Sequence, residues 1–470
     1  MGELTRKEQG YLAMGGQTAK NADTTPTTFI RFQDEALKIE KASEQLSVHG
    51  DGRDDRETIV TSVKPDGSFS MPIYPVSSAL VMAHAMGNDR VAGSAVAGGG
   101  SSTLSGGVSA GATDLPITSE TNFSGTDWCQ LEADYHEKAE ICQINSVSAG
   151  HLILKNATPT KYAHDTAVAV KEVTSPYFHR PAMTDVLTWV TLERMVGASK
   201  LIDRIKDAKI SEIKISGEAP GKPLKMTVNY MGTSAEKKTS ALTETLEATM
   251  PLIFHEADFY IDIDELKSGI SDSATTVLTD YLERYEVGDY FRQDDDVLKV
   301  SAKSAASGAG SLTVDRAQLS TIAASHATGV KTLLKTSNVS KFEVGFNNGL
   351  DDGIVTDELT RAHILEGKRK VTFSGTLLFD DEVFYNRALY GNGTTLASDM
   401  HKGMIYIKAS KSASQAMEIT IPYLVYLSAP VNLTGGNNEK IEQEISGQGN
   451  AGDQQSLTIK FTNIDPTKYC

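Results

Sequence analysis

The chain has 470 residues, 40% of them hydrophobic, and 45 basic against 61 acidic side chains give a net charge of −16. That length predicts two to four domains, and the acidity argues against general attraction to nucleic acid or anionic membranes. Three cysteines form neither a disulfide framework nor a zinc pattern.

The N-terminus lacks the basic-then-apolar layout of a signal peptide, and Arg6 sits where myristoylation prefers Ser or Thr. No apolar run approaches the length of a membrane span, so synthesis in the cytoplasm is expected. The first loop of note is Gly52-Arg53-Asp54-Asp55. After it, Ser68-Phe69-Ser70-Met71 opens a strand, Ser77 suits an N-cap, and a short helix with Ala79, Leu80 and Met86 stops at Gly87-Asn88. The Gly/Ser-rich stretch 97–111 reads as a flexible linker. Residues 112–171 then read as a small all-β module. If Asp134–Glu137 is a hairpin turn, Cys129 and Cys142 lie opposite each other, either as a bridge or as two reduced thiols packed as small hydrophobes. Strands follow at Ile213 and Ile215 and at Leu224, Met226, Val228 and Tyr230. A second module spans 274–333 and repeats the first in order: Asp127-Trp128 matches Asp289-Tyr290, and His164 matches His326.

The chain then repeats its first tract. Residues 57–88 align without a gap on 361–392 at an offset of 304, placing Phe69 on Phe373, Ser70 on Ser374 and Ile73 on Leu377. Upstream, Gly349-Leu350-Asp351-Asp352 carries the same signature as Gly52–Asp55, with an arm read as seven residues longer in the second copy. Strands at 418–430 and 440–449 take the places of the Ile213 and Leu224 strands, and Leu457, Ile459 and Phe461 alternate in a closing strand. Cys470 ends the sequence and is a candidate for intermolecular cross-linking.

Signals for an enzyme do not hold together. Gly107-Val108-Ser109-Ala110-Gly111 matches a hydrolase elbow in letters but lacks the flanking strand and helix. His255-Glu256 puts Phe259 where a second zinc histidine must stand, and His255 reads as a half-buried strand residue. Gly217–Lys222 lacks P-loop spacing and reads as a hairpin turn. Asp294-Asp295-Asp296, Asp262, Asp264 and Glu265 read as solvated acids rather than a calcium loop. No cofactor and no metal are expected. The two equivalent histidines suit packing or a hydrogen bond.

The ordered run KISEIKISGEAPGKPLKMTVNYMG (209–232), PLIFHEADFYID (251–262), 337–389 and 417–463 resembles the tail tube proteins of long-tailed bacteriophages. The resemblance implies a mainly β protein: two sandwich or barrel domains, each with a short helix, and two inserted all-β modules. The first domain would combine 25–90 with 172–250, and the second 251–265 with 334–466. The linker and first module occupy 97–171 and the second module 270–333. The implied role is a structural virion protein whose trimeric, pseudo-sixfold rings stack into a DNA-conducting tube through the loops at 45–58 and 345–362. A tape-measure protein and a tail terminator are the implied partners, with DNA passing unbound. A receptor- or glycan-binding decoration carried by the modules is the alternative.

Overall fold

The computed structural model describes residues 10–22, 24–46, 57–96, 98–125, 127–132, 140–156, 159–160, 163–197, 201–247, 249–319, 321, 323–354, 359–379, 383–390, 395–396, 400, 402–412, 415–431, 441–452, 455–465 and 468–470. Strand accounts for 59% of it and helix for 6%, so the protein is mainly β.

Two copies of one strand plan make up the body. The first contains β1 (Gly10–Gln17), β2 (Asp34–Leu46), β3 (Glu57–Pro72), helix α1 (Ser77–Met86), β4 (Trp189–Val196), β5 (Leu201–Glu218), β6 (Lys225–Met231) and β7 (Ser234–Lys237). The second contains β8 (Ala257–Glu265), β9 (Val339–Asn347), β10 (Lys370–Leu378), helix α2 (Val383–Tyr390), β11 (Lys402–Ser412), β12 (Gln415–Ser428), β13 (Glu442–Gly449) and β14 (Thr458–Asn463). An outer antiparallel sheet in the order β1-β4-β5-β7 is matched by β8-β11-β12-β14. The inner order β2-β3-β6-β5 is matched by β9-β10-β13-β12. β5 and β12 pass from outer to inner sheet, which closes each copy on itself.

Alternation explains the layering. In β10, Val371, Phe373, Gly375 and Leu377 face inward while Lys370, Thr372, Ser374 and Thr376 face away. One apolar core runs through both copies, with Phe69, Phe254, Phe342, Phe373 and Phe461 among its buried rings. Burying each such side chain is worth about 2 kcal/mol.

α1 departs from its expected start. Ser77 is its first residue rather than its cap, and the N–H groups of Val76 and Ser77 donate to the Glu247 carboxylate at 3.0 and 2.8 Å. A carboxylate suits the positive end of a helix. At the other end Gly87, with φ +98°, supplies the expected left-handed stop. Asp381 and Gly391-Asn392, which the offset of 304 sets against Ser77 and Gly87-Asn88 as the start and stop of α2, lie outside the described residues.

Residues 98–111 are packed and partly strand-paired rather than a flexible linker. Ser101–Thr103 pairs with Ala169–Lys171, and Leu104 and Val108 are buried in the first module's core beside Leu115, Cys129 and Ile144. The second module has its own core around Val277, Leu282, Tyr285, Phe291 and Leu312. Each module shares strands with the body: Ala169–Met183 runs from the first module to β14, and Lys331–Thr336 pairs with both β8 and the second module.

Candidate assembly surfaces

The inner sheet crosses from one copy to the other without a break. β5 pairs with β9 over seven positions, from Glu212 opposite Asn347 to Glu218 opposite Lys341. Lys214 lies opposite Gly345 and Ile213 opposite Phe346. This junction joins the fourth strand of one copy to the first strand of the next.

Both ends of the eight-strand sheet repeat the parts of that junction. Among the described residues β2, the counterpart of β9, pairs only with β3. At the far end Ser428 of β12, the counterpart of β5, pairs with Ser446 of β13. Such edges are ready templates for strand addition. Transferring the β5–β9 register puts Ser428 opposite Ala36 of another chain, because Thr227 and Ser446 hold equivalent places beside Ser70 and Ser374.

The face of the inner sheet turned away from the core is hydrophilic in both copies. Ser68, Thr227, Asn229, Thr372, Ser374, Ser446 and Gln448 occupy it. Its charges are interleaved: Lys214 lies 3.7 Å from Glu212 and 3.9 Å from Glu343, and Lys225 lies 3.9 Å from Asp34.

An arm stands beyond Lys38 and Asp66 in the first copy, where β2 and β3 pair on, and between β9 and β10 in the second. In the second copy it comprises Asp351–Ile354 paired with Arg361–Leu365, and it lies against the first copy. Arg361, with a side chain 2% exposed, donates to the carboxylates of Asp66 and Asp352 and, at 3.0 Å, to the Gly232 carbonyl. Burial works against its charge, but these acids outweigh that and raise its pKa. Lys64 pairs with Asp352 at 2.5 Å, and Lys209 donates to the Ile364 carbonyl and the Glu366 carboxylate. Gly349, Leu350, Asp351 and Asp352 therefore sit on or beside an arm packed within the chain. Gly52, Arg53, Asp54 and Asp55 lie outside the described residues.

The ladders also correct the relative lengths of the arms. Glu35 lies opposite Phe69 and Val344 opposite Phe373, so β2 and β9 are offset by 309 where β3 and β10 are offset by 304. The first arm is thus the longer one, by five residues. By this register Gly349 corresponds to Glu40.

The other sequence candidates are structural. Cys129 lies opposite Cys142 in the first module, both are buried, and all three cysteines are outside any disulfide. Burial pushes the Cys129 thiol up to about 12 and raises Cys142 further. Cys470 is partly exposed, and the Asp134–Glu137 turn lies outside the described residues. Ser109 is exposed at a turn where its carbonyl accepts from Thr160 at 2.8 Å. His255 is an exposed residue of a 3-10 turn rather than a half-buried strand residue, and Gly217–Lys222 joins β5 to β6.

Of the acids read as solvated, Asp262, Asp264 and Asp296 are buried. Asp296 is ion-paired to Arg316, Asp262 lies 3.5 Å from Lys331, and Asp264 accepts from Thr279 and Tyr285. Asp294, Asp295 and Glu265 keep exposed side chains, Asp294 beside His326, Asp295 paired with Arg292 and Glu265 with Lys331. His164 contacts Glu132 at 3.1 Å and Glu140 at 2.6 Å, and His326 contacts Asp294 at 2.9 Å. For His164 burial opposes protonation, but the two acids outweigh it and raise its pKa. Among the described residues no group of three or more His, Cys, Asp or Glu is placed to hold a metal ion, and no helix is long and apolar enough to cross a membrane.

The family model described as phage tail tube protein matches residues 8–449. No curated protein matches the chain.

Proposed function

Because this chain belongs to the phage tail tube protein family, we propose that it is a non-enzymatic virion subunit that closes into rings and stacks them into a DNA-conducting tube. The observation that carries the reading is the β5–β9 junction, whose two halves recur at the two ends of the inner sheet. Each chain supplies two pseudo-equivalent units, so three chains make a ring of six. A head-to-tail contact of this kind closes when its rotation divides the circle. The hydrophilic face of the inner sheet lines the bore, where interleaved charge gives DNA no cationic surface to bind.

In this reading the arms serve contacts between units, and the tape-measure protein and tail terminator are partners of the bore and of the last ring. The chain is made in the host cytoplasm and functions in the virion. Cys129 and Cys142 are placed to bridge once the particle meets oxidising surroundings, and Cys470 to cross-link neighbours.

The test is a cross-link. In a Cys470→Ser background, Ala36→Cys together with Ser428→Cys should yield covalent rings on mild oxidation, seen as a trimer ladder on non-reducing gels. Each single variant should remain monomeric on the gel. Rings visible by electron microscopy that fail to cross-link at this pair would reject the register, and a chain that stays monomeric under all conditions would reject the ring.

A further inference from the structure

The two arms start from the same place in the fold and go different ways. In the second copy the chain bends at Gly349 and again at Gly367. Gly349 has φ +59°, and a Cβ there would lie 2.5 Å from the Lys368 carbonyl oxygen; a Cβ on Gly367 would collide with the Gly349 carbonyl. The bend therefore requires glycine at both positions. It lays the arm back on the first copy, where Arg361 reaches Asp66 and the Val63 N–H donates to the Leu359 carbonyl at 2.6 Å.

At the equivalent positions the first copy has Glu40 and Val63, and these lie within an unbroken stretch of ladder. With one bulge after Ala42, that ladder runs from Asp34 opposite Ser70 to Leu46 opposite Glu57. The receiving surface has changed as well. Lys368 and Lys370 stand in the second copy where Lys64 and Asp66 stand in the first, so a cation replaces the carboxylate that anchors Arg361. The first arm can neither fold back nor find that anchor.

It projects instead. Asp66 is the last residue of β3 paired to β6, and the eight residues of β2 beyond Lys38 extend the ribbon by about 27 Å. Along it Ile39, Ile59 and Val60 are 43–44% exposed. A two-stranded ribbon carrying exposed apolar side chains is marginal in water unless something covers it.

We infer that the arms have divided their work: the second is a clasp within the chain, and the first is a plug that docks on a second copy of this chain in the adjacent ring. The inference rests on the ring reading. Ring closure uses the hydrogen-bonding direction across the strands, so an arm that continues along the strands points along the tube axis. The occupant follows from the clasp, which shows that an arm of this chain packs on a tube domain of this chain. Each chain then contributes one axial contact rather than two.

Two variants separate the roles. Replacing residues 42–62 with Asn-Gly, a two-residue hairpin turn, shortens the first arm to the body. Electron microscopy should show rings of unchanged diameter and no tubes. Ile59→Asp with Val60→Asp in the full-length arm should give the same result, with circular dichroism unchanged. Tubes of ordinary length from either variant would overturn the inference. So would loss of rings from a folded arm-less chain, since that would place the first arm in the lateral junction. Absence of rings from the unaltered chain would instead overturn the ring reading, and this inference with it.

Discussion

Arg361 offers the most direct measure of what joins the copies. Its side chain is 2% exposed, while those of its partners Asp66 and Asp352 are 38% and 29% exposed. Arg361→Ala removes the charge-assisted bonds to two acids and leaves the Gly232 carbonyl without this donor. Breaking a fully buried ion pair costs about 3–5 kcal/mol, but here both acids can rehydrate and Asp352 keeps Lys64. That places the loss near the lower bound, about 3 kcal/mol. Asp66→Asn should cost about 1 kcal/mol, and a double-mutant cycle should return a coupling of at least about 1 kcal/mol. Urea unfolding of the unassembled chain, followed by tryptophan fluorescence, gives these values from the transition in which the copies separate. A loss under about 0.5 kcal/mol for Arg361→Ala, or additive single effects, would refute the clasp as a stabilising contact.

The clasp should also respond to acid. Lys64 and Arg361 outweigh burial and lower the Asp352 pKa. Its contribution is therefore present above the ordinary carboxylate pKa of about 4 and lost as pH falls through the lowered value; amide exchange at 361–365 should accelerate there and remain slow at pH 6. His164 has the opposite sign. Its raised pKa gives stability that is full below about pH 6.5 and lost as pH rises through the folded value, so limited proteolysis of the first module should speed up in alkali, and His164→Gln should abolish that dependence. Iodoacetamide at pH 8 should modify Cys470 in the native chain and spare Cys129 and Cys142, checked by peptide mass spectrometry; equal labelling of all three would contradict their burial.

The shared strand order was legible because core positions carry it: Phe69 and Phe373, or Ile73 and Leu377, hold equivalent places in the ladders and the core. What escaped sequence reading depended on partners far along the chain. Asp296 looks solvated until Arg316 folds onto it, and α1 is capped by Glu247 rather than by its own serine. Leu104 and Val108 are easily lost among glycines and serines, yet two apolar residues are enough to dock that stretch on a module. A shared four-letter signature does not set the alignment of the arms, because strand register is revealed only by a ladder of partners.

Joining two units in one chain changes how a ring is built. The β5–β9 contact forms as the polypeptide folds, at an effective concentration set by the connecting chain rather than by the cell. In the proposed ring of three chains, three encounters are left to be made between molecules where six separate units would need six. Nucleation then depends on a lower power of subunit concentration, so tube growth can begin earlier in a filling cell. The covalent link also fixes which unit is first and which second, and six identical subunits could not keep one arm for each task.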